Sequence, residues 1–248
     1  MLLKLLLVAA SVLLSSLAAR RFGHAVGGTI AGPIIGFVLL QEPPVSARAI
    51  VLATLVCLPA TVAHLLSFAW CATRWHWAVA LLVANVVFAG AGALLVAVQL
   101  PSTAACAAAL AAPALGLLAM PRLPLAPGAA TIARLELACR VAVALSIAVL
   151  IMRSAGTAPA AFSGLLLAIP ITGNVLPCFT LPGHGAAATV ALIAGFMRGL
   201  FGFGCFFVTL YAGLAQAPAG IAYAAAWVAA LAMALLLHGL RRRGRRPG

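Results

Sequence analysis

Apolar residues run the length of this chain in long blocks, broken by short clusters of proline, glycine and arginine. A helix that crosses a bilayer needs about 20 such residues. On that measure the blocks predict helices over 2–19, 25–41, 49–71, 77–99, 103–120, 135–153, 159–178, 186–213 and 218–239. Turn and breaker residues stand between them: Pro43-Pro44, Pro101, Pro121 with Pro124 and Pro127-Gly128, Pro182-Gly183, and Pro218. The fifth segment is rich in alanine and interrupted by Pro113.

Two of the blocks share a pattern. Gly27, Ala31, Pro33, Ile34, Gly36, Val38 and Leu39 pair without a gap with Gly164, Ala168, Pro170, Ile171, Gly173, Val175 and Leu176. Paired hydrophobic segments interrupted by glycine and proline point to a transporter built from internal repeats. The chain then divides into a first four-helix repeat over 1–100, a linking helix and loop over 101–128, a second four-helix repeat over 129–240 and a basic tail over 241–248. Because one linking helix separates the repeats, the second starts from the opposite side of the membrane. The expected fold is therefore an all-α membrane protein of about nine transmembrane helices, arranged as two inverted four-helix repeats joined by a linking helix.

Composition agrees: 66% of the residues are hydrophobic, 7% are charged and the mean hydropathy is +1.23. No stretch is polar enough for a water-soluble domain. The net charge of +13 would suit nucleic acid, but five of the fifteen cations fall in the run from Arg241 to Arg246 and most others flank apolar blocks. That placement is the one that holds loops on the cytoplasmic side, and no nucleic-acid partner is expected. With nine helices, Arg20, Arg21, Arg74, Arg122, Arg134 and the terminal run share one face, while Arg48 and Arg153, with Lys4 near the N-terminus, take the other. The positive-inside rule puts the N-terminus outside and the C-terminus in the cytoplasm of a bacterial inner membrane. Arg20 and Arg21 directly after the first block favour an uncleaved helix over a signal peptide.

Candidate chemistry is sparse. Gly28, Gly32 and Gly36 make a small-residue ridge, Pro33 and Pro170 free carbonyls inside their helices, and Thr172, Gly173 and Asn174 follow the second break. His64 and Arg198 are ionisable residues at depth, which makes each a functional candidate. Arg198, His64, Thr172 and Asn174 are the expected solute-binding residues, with Gly32, Pro33, Gly36, Pro170 and Gly173 shaping the backbone around them. The only acids are Glu42 and Glu136, both outside the predicted spans' interiors, so a carboxylate proton relay or sodium site is not expected. An arginine without acids favours an anionic or neutral polar solute over a cation.

The five histidines show no nucleophile or metal spacing, the six cysteines are scattered without a C-x-x-C pair, and no Walker or dinucleotide loop occurs. Neither an enzyme nor a cofactor or metal is predicted. Trp70, Trp75 and Trp77 around Arg74 have the composition of an interfacial aromatic belt.

The stretch from Arg20 through Phe22-Gly23-His24 to Gly28, leading into a glycine/proline helix, and Phe162-Ser163-Gly164 leading to Pro170 resemble bacterial polytopic inner-membrane proteins that look like a duplicated form of the short, four-helix GlpM-like family. The chain departs from that pattern at Pro177-Cys178-Phe179-Thr180-Leu181-Pro182-Gly183-His184, where a Thr-His-Arg-Arg turn is usual. The resemblance implies a membrane protein and carries over no site residues.

Two functions follow from these readings. The first is a small secondary transporter, a permease or exporter, of a small polar solute by alternating access. The second is a non-transporting integral scaffold or assembly subunit, whose glycine ridges and arginine tail would meet a second copy or another membrane protein.

Overall fold

The computed structural model describes residues 44–124 and 171–243, with the single positions 142 and 146. The first and second predicted helices, and the sixth apart from positions 142 and 146, lie outside the described residues, as do Gly32, Pro33, Gly36 and Pro170. Within them the chain is all helical and no strand occurs. Helix α1 spans Pro44–Cys71, α2 Trp77–Val98, α3 Ser102–Leu118, α4 Ile171–Gly213 and α5 Ala219–Arg243.

These bounds follow from local chemistry. His76 caps α2, its Nδ1 accepting from the Ala78 amide at 3.5 Å, and Gln99 ends the helix in the left-handed conformation with φ 49°. Pro101 and Pro218 stand just ahead of α3 and α5, and their carbonyls accept the amides of Ala105 and Ala222 at 2.9 and 3.1 Å. Pro113 does not interrupt α3. It removes the donor for the Ala109 carbonyl, and Gly204 of α4 packs beside that oxygen.

Close packing comes from small residues one turn apart. Ala80, Ala84, Phe88 and Gly92 are the buried stripe of α2, Ala105, Ala109, Ala112 and Gly116 lie on that of α3, and Ala222, Ala226 and Ala230 play the same part on α5. Without a hydrophobic driving force between helices in lipid, such stripes let backbones approach and gain dispersion contact. The opposite faces expose Leu82, Val86 and Leu94 on α2 and Val228, Leu235 and Leu236 on α5, as a lipid-facing surface does.

Direction is fixed by contacts at the ends. The Trp70 indole donates to the Ala119 carbonyl at 3.0 Å, so α1 and α3 finish together. The Arg48 guanidinium lies 4.5 Å from the Tyr211 ring centre, so α1 starts where α4 finishes. Short turns return α2 against α1 and α5 against α4, the latter so tight that a Cβ on Gly213 would come within 2.8 Å of Ala222 Cβ. Arg74, Arg122 and the end of α5 at Arg243 therefore share one end of the bundle, and Arg48 takes the other. Trp70 and Trp75 are exposed near the first of these ends, as an interfacial belt requires.

Helix α4 is two arms. Gly173 lies beside His64, and Met197 lies beside Val62 at the Gly116 crossing, two residues away on α1. Twenty-four residues of straight helix would separate Gly173 from Met197 by about 36 Å. The element must double back, and Gly185, midway between them, is its one non-helical residue, with φ 77° and ψ 179°. That region is open to glycine alone and costs another residue about 1–3 kcal/mol. The Thr189 hydroxyl donates to the Gly185 carbonyl at 2.9 Å, one turn into the second arm. Arms 171–184 and 186–213 thus answer to the seventh and eighth predicted helices. Their junction sits at Gly185 and not at Pro182-Gly183, because proline bends a helix and frees a carbonyl but leaves φ helical.

Two apolar clusters fill the interior. One, nearer Arg74, includes Leu65, Phe68, Leu176, Ile193 and Phe196, and the other, nearer Arg48, includes Val51, Leu55, Phe206, Phe207 and Leu210.

Candidate functional site

Polar residues meet between the two clusters. His64 is three residues past the point midway between Arg48 and Arg74, so it stands about 5 Å from the level halfway between those two arginines. Asn85 is within about 4 Å of the middle of α2, and Arg198 within about 3 Å of the middle of the 186–213 arm. A layer at mid-depth therefore draws one polar side chain from each of three helical segments, and the 171–184 arm adds Asn174.

Asn85 Nδ2 donates to Asn174 Oδ1 at 3.0 Å and to the Leu81 carbonyl of its own helix at 2.9 Å. This amide pair joins α2 to the first arm of α4. Both amide hydrogens of Asn85 are spent there, while Asn85 Oδ1 and Asn174 Nδ2 make no further hydrogen bond among the described residues. The Asn174 carbonyl accepts from the Cys178 thiol one turn on, at 3.0 Å.

His64 is fully buried, and neither Nδ1 nor Nε2 has a hydrogen-bond partner. Its ring lies against the backbone of Ala84 on α2 and of Gly173 on α4, near enough to interact but without hydrogen-bond alignment. Both neighbours adjoin the amide pair. Pro177 has no amide hydrogen, so the Gly173 carbonyl lacks its helical donor in the same place. The ring also meets Phe88 edge-on, centroids 6.2 Å apart at 88°. An unsatisfied buried nitrogen costs about 1–3 kcal/mol, and such groups are rare enough to need an explanation.

Of the residues the sequence singled out, His64, Gly173 and Asn174 come together. Gly173 is buried and helical. Thr172 lies in α4 one position before Gly173, with only its backbone described. Arg198 is half-buried at the same depth and is engaged in an interaction within the protein. Asn85 was missed. It is the only side chain of α2 that carries an amide, in a helix otherwise of alanine, valine, leucine, glycine, phenylalanine and one tryptophan, and that isolation was a visible signal.

No Asp or Glu occurs among the described residues, and no three His, Cys, Asp or Glu side chains gather there as a metal site would require. What the layer can do is hydrogen-bond: it holds a neutral ring with two nitrogens, two amides and a guanidinium.

Four of the helices are long and apolar enough to cross a membrane, and the fold with its polar layer is that of a multi-pass, membrane-embedded helical protein. The chain matches no protein-family model, no curated protein and no solved structure.

Proposed function

We propose that the protein is a small secondary carrier, permease or exporter, that moves a small polar solute across a bacterial inner membrane by alternating access. The observation that carries this reading is His64, buried at mid-depth without a hydrogen-bond partner and adjoining the Asn85–Asn174 pair. Polar groups at that depth are expensive and mark solute pathways. A bundle held only by packing would have satisfied the ring or replaced it. Arg198 stands at the same depth, engaged within the protein, and its positive charge is the ground for preferring an anionic or neutral solute over a cation.

The architecture proposed with it has nine helices in two inverted four-helix repeats, with α3 as the linking helix and the N-terminus outside. The shared spacing of Gly27 to Leu39 and Gly164 to Leu176 supports the repeat, and the arginines at the shared end of α1, α3 and α5 support a cytoplasmic assignment for that end. Inverted repeats offer two near-equivalent conformations, one open to each side, with the solute site where broken helices meet. Accessibility of a tag after Gly248 only from the cytoplasm, and of one before Met1 only from outside, is the expected outcome of a labelling experiment in intact cells. Both tags on one side would rule out an odd number of helices.

The carrier reading itself is tested by thermal unfolding of the purified protein with a panel of anionic, neutral and cationic solutes. Binding to the folded state stabilises it by mass action, by about 2.7 kcal/mol at a hundredfold excess over Kd, and so raises the melting temperature. An anionic or neutral solute is expected to give a saturable rise and no cation is. A panel without any rise turns the reading toward the scaffold subunit.

A further inference from the structure

We propose that the mid-depth layer is a binding site for a small uncharged solute that carries hydrogen-bond donors and acceptors close together, such as a short amide or a polyol, read by His64, Asn85 and Asn174. This rests on the carrier reading and goes further, because it names the class of solute.

The hydrogen-bonding capacity left over in the layer is mixed. Asn85 spends both amide hydrogens on Leu81 and Asn174, so what it still offers is the acceptor Oδ1. Asn174 accepts through Oδ1 and keeps the two donors of Nδ2. Neutral His64 adds one donor and one acceptor, both unused and both shielded from water. A cation would find no acid among the described residues to balance it. An anion would turn its oxygens toward Asn85 Oδ1 and the unprotonated imidazole nitrogen, two acceptors that repel it. A solute bearing hydroxyls, or a carbonyl beside an amine, satisfies donors and acceptors at once.

Two features make the site usable. Phe88 meets the imidazole edge-on, and the backbones of Ala84 on α2 and Gly173 on α4 adjoin the ring, which places it at the junction of α1, α2 and α4. Asn174 rides on the arm that ends at Gly185, where nothing lies within 4 Å of a built Cβ. Withdrawing the arm breaks the Asn85–Asn174 bond and uncovers His64 together with the spare groups of both amides.

The test uses the full chain in liposomes followed by light scattering after a hyperosmotic jump with glycerol, urea or acetamide, since vesicles reswell as the solute enters. Uptake of labelled acetate, phosphate and methylammonium is measured in the same vesicles. Reswelling with at least one uncharged solute is expected about tenfold faster than in protein-free vesicles, well inside what hydrogen-bond complementarity can discriminate. Asn174→Leu and His64→Phe, each checked as monodisperse, are expected to return that rate to the protein-free value; His64→Phe keeps a ring against Phe88 and serves where Asn174→Leu fails to fold. Entry of the anions alone overturns the uncharged class and leaves the carrier standing. Wild-type reswelling in both variants removes the site, and no flux of any solute removes the carrier and this proposal with it.

Discussion

Gly116→Leu is expected to be the most damaging single substitution in the described bundle, lowering stability by about 1–3 kcal/mol or more and reducing the yield of folded protein. Gly116 is where α3 crosses both α1 and α4. A Cβ there would stand 2.5 Å from Met197 Sδ and 2.6 Å from Val62 Cγ1. Methionine is unbranched and can swing aside. Val62 cannot, because a β-branched side chain in a helix is held to essentially one rotamer. The strain would fall on α1 two residues from His64, so it reaches the polar layer as well. Gly90 is the control: it is exposed on α2 with nothing within 4 Å of a built Cβ, and Gly90→Leu should melt as the parent does. Equal melting temperatures for Gly90→Leu and Gly116→Leu in detergent would refute the tight crossing.

That crossing shows where reading the sequence stops. Helix limits were legible because proline, tryptophan and arginine end apolar blocks for reasons local to the chain. Trp77 opens α2 where expected, Pro101 and Pro218 stand just ahead of α3 and α5, and the 186–213 arm keeps both its expected ends. The break inside α4 moved to Gly185 because its cause is a backbone angle, and His184-Gly185 looks no more irregular in sequence than Pro182-Gly183. Packing was only half legible. Attention to glycine every fourth residue pointed to Gly28, Gly32 and Gly36, whereas alanines at the same spacing bring α2, α3 and α5 against their neighbours.

The candidate site divides in the same way. His64 and Asn174 stood out because polar groups in apolar blocks are costly wherever the helix packs. Asn85 has the same signature, and weighing ionisable groups above amides passed over it. That Asn85 reaches Asn174, 89 positions along the chain, depends on how α2 and α4 cross. So does the meeting of His64 with the Gly173 carbonyl that Pro177 leaves without a donor. Local rules foresee a freed carbonyl, but only the assembled bundle says which side chain stands beside it.

The substitution that separates stability from function most sharply is His64→Phe. A buried imidazole with both nitrogens unpaired lowers stability by about 1–3 kcal/mol for each unsatisfied group. Phenylalanine removes that cost, fills a similar volume and keeps an edge-on contact with Phe88, itself worth about 0.5–1.5 kcal/mol. It also adds a ring carbon beside the backbones of Ala84 and Gly173, and overpacking there takes back part of the gain. The net expectation is a rise of about 1 kcal/mol, or about 2–4 °C in melting temperature for a chain of this size. Solute movement should be lost in the same protein, because the donor and acceptor that the layer holds in reserve are gone. Natural proteins keep such destabilising groups where function needs them. Thermal melts of parent and variant in the same detergent, set beside flux in liposomes, read both halves. A variant that melts several degrees lower would mean that His64 holds α1, α2 and α4 together through its contacts with Ala84 and Gly173, and the ring would then belong to the framework of the bundle and not to its solute.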